Sequence, residues 1–411
     1  MQTLIKQVKI LDTKSSFHLK TVDVLIEKGR ITQLLPKIVG DFEKVIEGKS
    51  LYLTQGWIDI FSDFSEPGFE YREDIASGAE AAQAGGFKQV FVLPNTLPTI
   101  SSQSEVQLIK QKSQFLPVEI HPLGSISQSL KGIALAEMLE MRKAGAIAFT
   151  EGWNSLEDAN LSLKALEYVK AFDGVLIYLP YLASLSDEGW MHEGQQSTLL
   201  GMAGIPTIAE TVFIQREIAL AGYAGSKIHF TGISSKESVK IIREAKKAGV
   251  RVTCSVTPYH LLWTDEELTT YNSFYKTMPP LRTAEDRAAL RAGVLDGTID
   301  LVTSHHRPAS WDEKNKEFAY TGWGIAGIQM VLPLLLKAMP EIQPELLSDL
   351  LVYKAQEIFN TQEYPIKEQA EVVHLTLFDA AGVIHPESFK KSSKAFNQYE
   401  LKESLKGQII F

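Results

Sequence analysis

The sequence predicts an α/β protein, a (β/α)8 TIM barrel that carries a small β-sandwich domain built from both termini. Two observations carry this prediction. Eight apolar, β-rich runs alternate with helical patterns through the middle of the chain, and both ends hold strand patterns without helices. Alternation of this kind predicts a parallel sheet, and eight strands is the number that closes such a barrel. The expected division is 1–55 and 361–411 for the two parts of the composite β domain, with 56–360 for the barrel.

The N-terminal part reads as TLIKQVKIL, TVDVLIEKG, ITQLLP and EKVIEGKSLYL, and the C-terminal part as EVVHLTLFD, a turn at Gly382 and a closing GQIIF. In the middle the strand runs are WIDIFS, KQVFVL, VEIHPLGS, AIAFT, GVLIYL, KIHFT, RVTCSV and TIDLVTS. Between most of them lie helical patterns such as EDIASGAEAAQAG, SLKALEYVKAF, TVFIQREIALAG and KESVKIIREAKKAG. Several of these helices end at glycine, the residue that most readily takes the left-handed turn of a C-cap.

Composition narrows the function classes. Formal net charge is −9, and no dense Lys/Arg run supplies the basic stripe that nucleic-acid binding needs, so no nucleic-acid partner is expected. Cys254 is the single cysteine, which excludes an intrachain disulfide and a Cys-based zinc site; inside a strand run it reads as core. The N-terminal MQTLIKQVKILD alternates like a strand and has no signal-peptide core. The most apolar stretch, Ile328 to Met339, is about a dozen residues long and interrupted by Pro333 and Lys337, too short for a bilayer. A soluble cytoplasmic protein without a membrane partner is the expectation.

Barrel active sites sit where strands end. The positions to inspect are therefore Phe61 to Ser65, Asn95, Glu151, Leu179 to Tyr181, Gly232, Pro258 to His260 and Ser304 to His306. They hold fewer metal ligands than a hydrolytic barrel needs. His305-His306 is the one adjacent histidine pair, and strand alternation points its two rings to opposite sides. His260 reads as a hydrogen-bonded structural histidine. Gly322, Gly324 and Gly327 spell a Gly-x-Gly-x-x-Gly, but no apolar strand precedes it, so turn geometry and packing account for it.

The segment GWIDIFSDFSEPGFEYREDIASGAEAAQAGGFKQVFVLPNTLPT resembles the dihydroorotase signature of the amidohydrolase superfamily: Gly-Leu-Ile-Asp-x-His-x-His-x-Arg-Glu-Pro-Gly, an acidic helix, Gly-Gly and Pro-Asn-Thr-x-Pro. PTIAETVFIQREIALA, VTPYHLLWT, MPPLRTAEDRAAL and DGTIDLVTSHHRP match as well, so the resemblance covers essentially the whole chain. It implies a cyclic amidohydrolase of pyrimidine biosynthesis. In the active family zinc polarises the amide carbonyl and supplies hydroxide, while an acidic residue shuttles the proton.

Carried over residue by residue, that chemistry fails. The His-x-His pair falls on Phe61 and Asp63, the substrate-binding arginine on Ser65, and the acidic pair after the fourth strand on Glu151 and Gly152. The next two histidines fall on Leu179 and Gly232. In the eighth-strand Asp-His-Ala-Pro motif, His305 stands at the catalytic aspartate and His306 at the histidine, while Met278 replaces a substrate-contacting asparagine. Asn95 and Arg282 survive. Phenylalanine, leucine and glycine side chains donate no lone pair to a metal.

The resemblance therefore implies a catalytically degenerate member, a pseudoenzyme with no catalytic residue and no cofactor expected. Asn95 remains as a vestigial substrate contact, a role that stands beside plain bracing of its loop. Asp63, Glu151 and His305 are the set from which a rebuilt metal site could be made; the plainer reading is three polar rim residues. Catalytically dead relatives in this family serve as structural partners of aspartate transcarbamoylase, so such a scaffold role, in a homo-oligomer, is the expectation. The alternative is an active dihydroorotase or related cyclic-amide hydrolase with a rebuilt metal site.

Overall fold

In the computed structural model, which describes residues 2–186 and 189–411, strands from the two chain ends share one sheet. Gln2–Leu11 lies antiparallel to Thr21–Glu27, which pairs with Arg30–Leu35. The run EKVIEGKSLYL divides into Lys44–Ile46 and Leu51–Gln55, and both lie parallel to Gln2–Leu11 at different points. Leu375–Ile384 then adds antiparallel to Leu51–Gln55, and Leu405–Ile409 completes the sheet. Ile5, Val8, Ile10, Val24, Leu53, Leu375 and Leu377 belong to its core, an alternating set that is offset by one residue at the irregularity between Ile5 and Val8.

The middle of the chain supplies eight parallel strands in sequence order: Trp57–Ser62, Phe87–Val92, Glu119–Pro122 continuing into Gly124–Ser125, Phe149–Thr150, Val175–Tyr178, Lys227–Phe230, Val252–Val256 and Leu301–Val302. The third strand breaks at Leu123. Its first half pairs with the second strand and its second half with the fourth. Polar contacts then bring the first and last strands together. Buried Asp59 accepts hydrogen bonds from Ser304 N at 2.7 Å, Ser304 Oγ at 2.7 Å and Thr303 Oγ1 at 2.8 Å, and Asp63 N donates to His306 O at 2.8 Å.

The helices fall on the predicted patterns: Ile75–Ala84, Ala159–Lys170, Ile208–Ala224 and Lys236–Lys247. Asp74 and Ser77 form a capping box at the first of these. Gly225 ends Ile208–Ala224 in the left-handed conformation, as the sequence suggests. Gly85 instead stays right-handed, and the next residue, Gly86, takes the left-handed conformation at φ 86. An apolar layer between strands and helices includes Phe87, Val90, Leu166, Phe213, Ile242 and Val331. Among the described residues, no helix is long and apolar enough to cross a membrane.

Candidate functional site

The C-terminal ends of the eight strands meet over an apolar plug. Phe61, Trp153 and Leu179 belong to one buried cluster with Ile58, Phe91 and Ile177, and Met278 packs against it. Phe61 is fully buried, its ring edge-on to Trp153 at 5.0 Å and tilted against the His305 imidazole at 4.8 Å. Trp153 closes the triangle, 5.7 Å from His305. The space left between Trp153, Tyr259, His260, Met278, His305 and Ile325 is about 10 Å³, no more than one water molecule occupies.

Each residue expected at the site has another partner. His305 has a left-handed backbone, φ 44, and shares a 2.8 Å hydrogen bond between Nε2 and Thr231 Oγ1. Burial pushes its imidazole down to about 3, so it is neutral at physiological pH. The ring stands over Gly232, where a Cβ would come within 2.3 Å of Cε1. The neighbouring His306 points the other way. Its Nε2 lies 3.5 Å from the Glu73 carboxylate and its ring is edge-on to Phe64; the two rings diverge as expected, but through the left-handed turn at His305 beyond the end of the strand and not by strand alternation.

Asp63 is spent on its own loop. Oδ1 accepts from Ser65 N at 2.8 Å and from Ser65 Oγ at 3.3 Å, and Oδ2 accepts from Trp153 Nε1 at 3.2 Å. Glu151 turns to the neighbouring loop, taking Ser127 N at 2.6 Å and Ser127 Oγ at 2.8 Å. Burial lifts its carboxyl to about 7 despite those bonds. Asp63, Glu151 and His305 therefore do not converge, and no group of three or more His, Cys, Asp or Glu among the described residues could hold a metal ion. With Phe61, Leu179 and Gly232 at the other ligand positions, the donor set does not fit the zinc of the resembled family.

Asn95 braces the turn beyond the fourth strand. Its Nδ2 donates to Glu151 O at 3.4 Å, and its Oδ1 accepts from Trp153 N at 3.2 Å. Gly152, at φ 60, makes this approach possible, since a Cβ there would sit 1.6 Å from Asn95 Oδ1. His260 is buried between Thr257 Oγ1 at 2.7 Å and Pro279 O at 3.1 Å, as expected of a structural histidine. Arg282 is buried away from the plug and donates to Glu210 Oε2 at 3.1 Å and Ser234 Oγ at 2.6 Å. Cys254 is core, its thiol raised far above the usual range by burial.

Above the plug lies a second cavity of about 230 Å³, lined in part by Asp63, Arg72, Asn95, Trp153, Arg307 and Glu313. Arg72 Nε donates to both Glu313 oxygens, at 2.9 and 3.1 Å. The Arg307 guanidinium lies over the Trp153 ring, 4.2 Å from its centroid, and burial lowers it to about 10. Sequence reasoning singles out neither Trp153 nor Arg307. The available signal is that Arg307 stands where the resembled motif has alanine.

An α/β fold with strands of both termini in an added sheet, and a site at the parallel strand ends, is the architecture of hydantoinase-type proteins. The L-hydantoinase (dihydropyrimidinase) from Arthrobacter aurescens superposes with a TM-score of 0.82 at 18% identity, covering 99% of this chain and 93% of that one. A D-hydantoinase from Bacillus sp. AR9 gives 0.80, also at 18% identity, with 99% and 93% covered. Sequence is more specific. The "Dihydro-orotase-like" family model matches residues 50–238. A protein of Geotalea daltonii named dihydroorotase is 37% identical over 100% of this chain and 97% of its own length. Its namesake in Carboxydothermus hydrogenoformans is 38% identical over 82% and 78%. The chain belongs to the dihydroorotase family.

Proposed function

We propose that this chain is a dihydroorotase-family protein of pyrimidine biosynthesis that lacks a catalytic metal centre and acts as a structural partner of another protein. Its eight strands close as a barrel around an apolar plug instead of a reaction chamber. The observation that carries this reading is the filled mouth. Phe61 and Leu179 are buried in the apolar cluster, and the space left beside it between Trp153, Met278 and His305 is about 10 Å³, too small for a cyclic amide and a hydroxide to meet. Nucleophile generation, carbonyl polarisation and the inherited carboxylate clamp all depend on side chains that this sequence does not carry. Aspartate transcarbamoylase is the partner that the family resemblance suggests, with the chain itself assembled as a homo-oligomer.

A second reading is favoured by the relatives, whose names are those of an enzyme: an active dihydroorotase or related cyclic-amide hydrolase with a rebuilt metal site. One assay separates the two. Interconversion of dihydroorotate and carbamoyl aspartate is measured for the purified protein with and without added zinc. A companion variant carries Phe61→His, Asp63→His, Leu179→His, Gly232→His and His305→Asp. The proposal expects no turnover by the wild type; wild-type turnover abolished by Glu151→Ala would overturn it. Co-elution of the chain with aspartate transcarbamoylase from the same organism tests the scaffold role.

A further inference from the structure

At the opposite end of the barrel from the plug, a buried ammonium has no partner. Lys88 is the second residue of the strand Phe87–Val92, which puts it at the strand's N-terminal end, beside residues of the terminal sheet. It is only 5% exposed, yet its Nζ makes no hydrogen bond or ion pair among the described residues. Packing holds its stem: a Cβ on Gly56 would come within 2.3 Å of Lys88 Cγ. The helix carbonyls nearest in sequence, those of Ala81, Ala82 and Gln83, accept instead from Gly85 and Gly86 N–H. Glu371 is paired with Arg30, and its second oxygen lies 3.8 Å from His374 Nε2. Burial lowers the Lys88 ammonium to about 8, so it still carries its charge at neutral pH. A buried charge without a partner is costly, and an anion arriving from solvent offsets that cost.

Lys88 lines a cleft of about 570 Å³, the size of a small-molecule site. Lys28 and Arg30, at the turn between two strands of the terminal sheet, bring further cations to it, and Glu371 is the one acidic side chain among its described lining residues. Even with a free carboxylate at Phe411, the balance stays positive, three cations against two acids. Arg30 is already engaged by Glu371, so the available donors are the two lysines. A lysine ammonium is a point charge that suits a tetrahedral phosphate, whereas two-bond recognition of a planar carboxylate falls to arginine. Val373, 45% exposed, and Phe411 add apolar surface to the same cleft.

We propose that this cleft binds a phosphorylated small molecule, its phosphate on Lys88 with Lys28 at the rim and its apolar body on Val373 and Phe411. The site lies away from the strand ends where the plug sits, and it stands whether or not the barrel turns over a cyclic amide.

Full-length protein is titrated calorimetrically with phenyl phosphate, inorganic phosphate and benzoate at matched ionic strength. Phenyl phosphate is expected to bind saturably and several-fold more tightly than either of the others, since only it carries both the phosphate and an apolar body. Lys88→Met keeps the stem and removes the unpaired charge. It should fold at least as stably as the wild type and bind phenyl phosphate at least about tenfold more weakly. Should that variant fail to fold, Val373→Asp sets a negative charge on the exposed wall of the cleft and is expected to weaken binding several-fold. No saturable binding of phenyl phosphate, benzoate or inorganic phosphate bound as tightly, or a folded variant of either kind that binds like the wild type would overturn the proposal.

Discussion

The imidazole of His305 occupies the space that any side chain at position 232 would need, with 2.3 Å between an added Cβ on Gly232 and His305 Cε1. The resemblance assigns a histidine to position 232 and an aspartate to 305; in this chain the His305 ring fills the space beside a glycine. Thr231, immediately before the glycine, holds that ring by Nε2.

Gly232→Ala should therefore destabilise the fold by about 2–4 kcal/mol, from overpacking against His305 together with a left-handed backbone at φ 69. Urea denaturation measures it. Adding His305→Ala should recover part of the loss, and strict additivity of the two substitutions would contradict the contact.

Phe61→Ala removes the ring between Trp153 and His305 and should cost about 3–5 kcal/mol. Phe61→Leu, which keeps most of the apolar volume, should cost less than half of that. Phe61→His places a polar ring inside the same apolar cluster and should also destabilise. A variant with histidine at 61 as stable as the wild type would mean that the plug is looser than its packing indicates.

Glu151 makes stability depend on pH. Burial raises its carboxyl to about 7 from an ordinary value of 4.5, with the Ser127 bonds opposing only in part. The folded state therefore holds this proton more tightly than the unfolded chain. The resulting stability is complete below about pH 4.5 and is lost as the pH rises through about 7. Glu151→Gln removes that dependence. The variant's stability relative to wild type should rise by up to about 3 kcal/mol between about pH 5 and 8. A difference that stays flat across this window would contradict the buried, raised carboxyl.

Asp59 joins the first strand to the last by accepting from Thr303 and from both the backbone and side chain of Ser304. Asp59→Ala leaves those buried donors without their acceptor and should cost about 3 kcal/mol or more. Amide exchange should then show Ser304 losing protection before residues of the fifth strand, such as Ile177.

The strand order was open to sequence reasoning because apolar β-rich runs and capped helices are local patterns, whereas the divergence of His305 and His306 comes from a left-handed turn beyond the strand end that alternation does not describe. The residues that stand at the ligand positions of the resembled motif, Phe61, Leu179 and Gly232, were equally readable from the sequence. The partners were not legible. Glu151 turns toward Ser127, and Asp63 toward Ser65 and the indole of Trp153, through contacts set by loops distant in sequence or by one local backbone turn. Nor could the chain reveal that the Arg307 guanidinium lies over the Trp153 ring, because that packing joins loops distant in sequence. The break of EKVIEGKSLYL into two strands needed knowledge of the shared neighbour, Gln2–Leu11.

The sheet shared by the two chain ends sets a constraint on biosynthesis. Thr54 pairs with Thr376, 322 positions later. At ordinary ribosomal speed the N-terminal strands wait about 15–60 s for the segment that completes them. Throughout that interval the edge at Leu51–Gln55 is unpaired, an opening for wrong strand pairing. A nascent chain stalled before residue 375 should accordingly recruit chaperones, and a premature stop there should yield aggregate even though every residue of the eight parallel strands has been made.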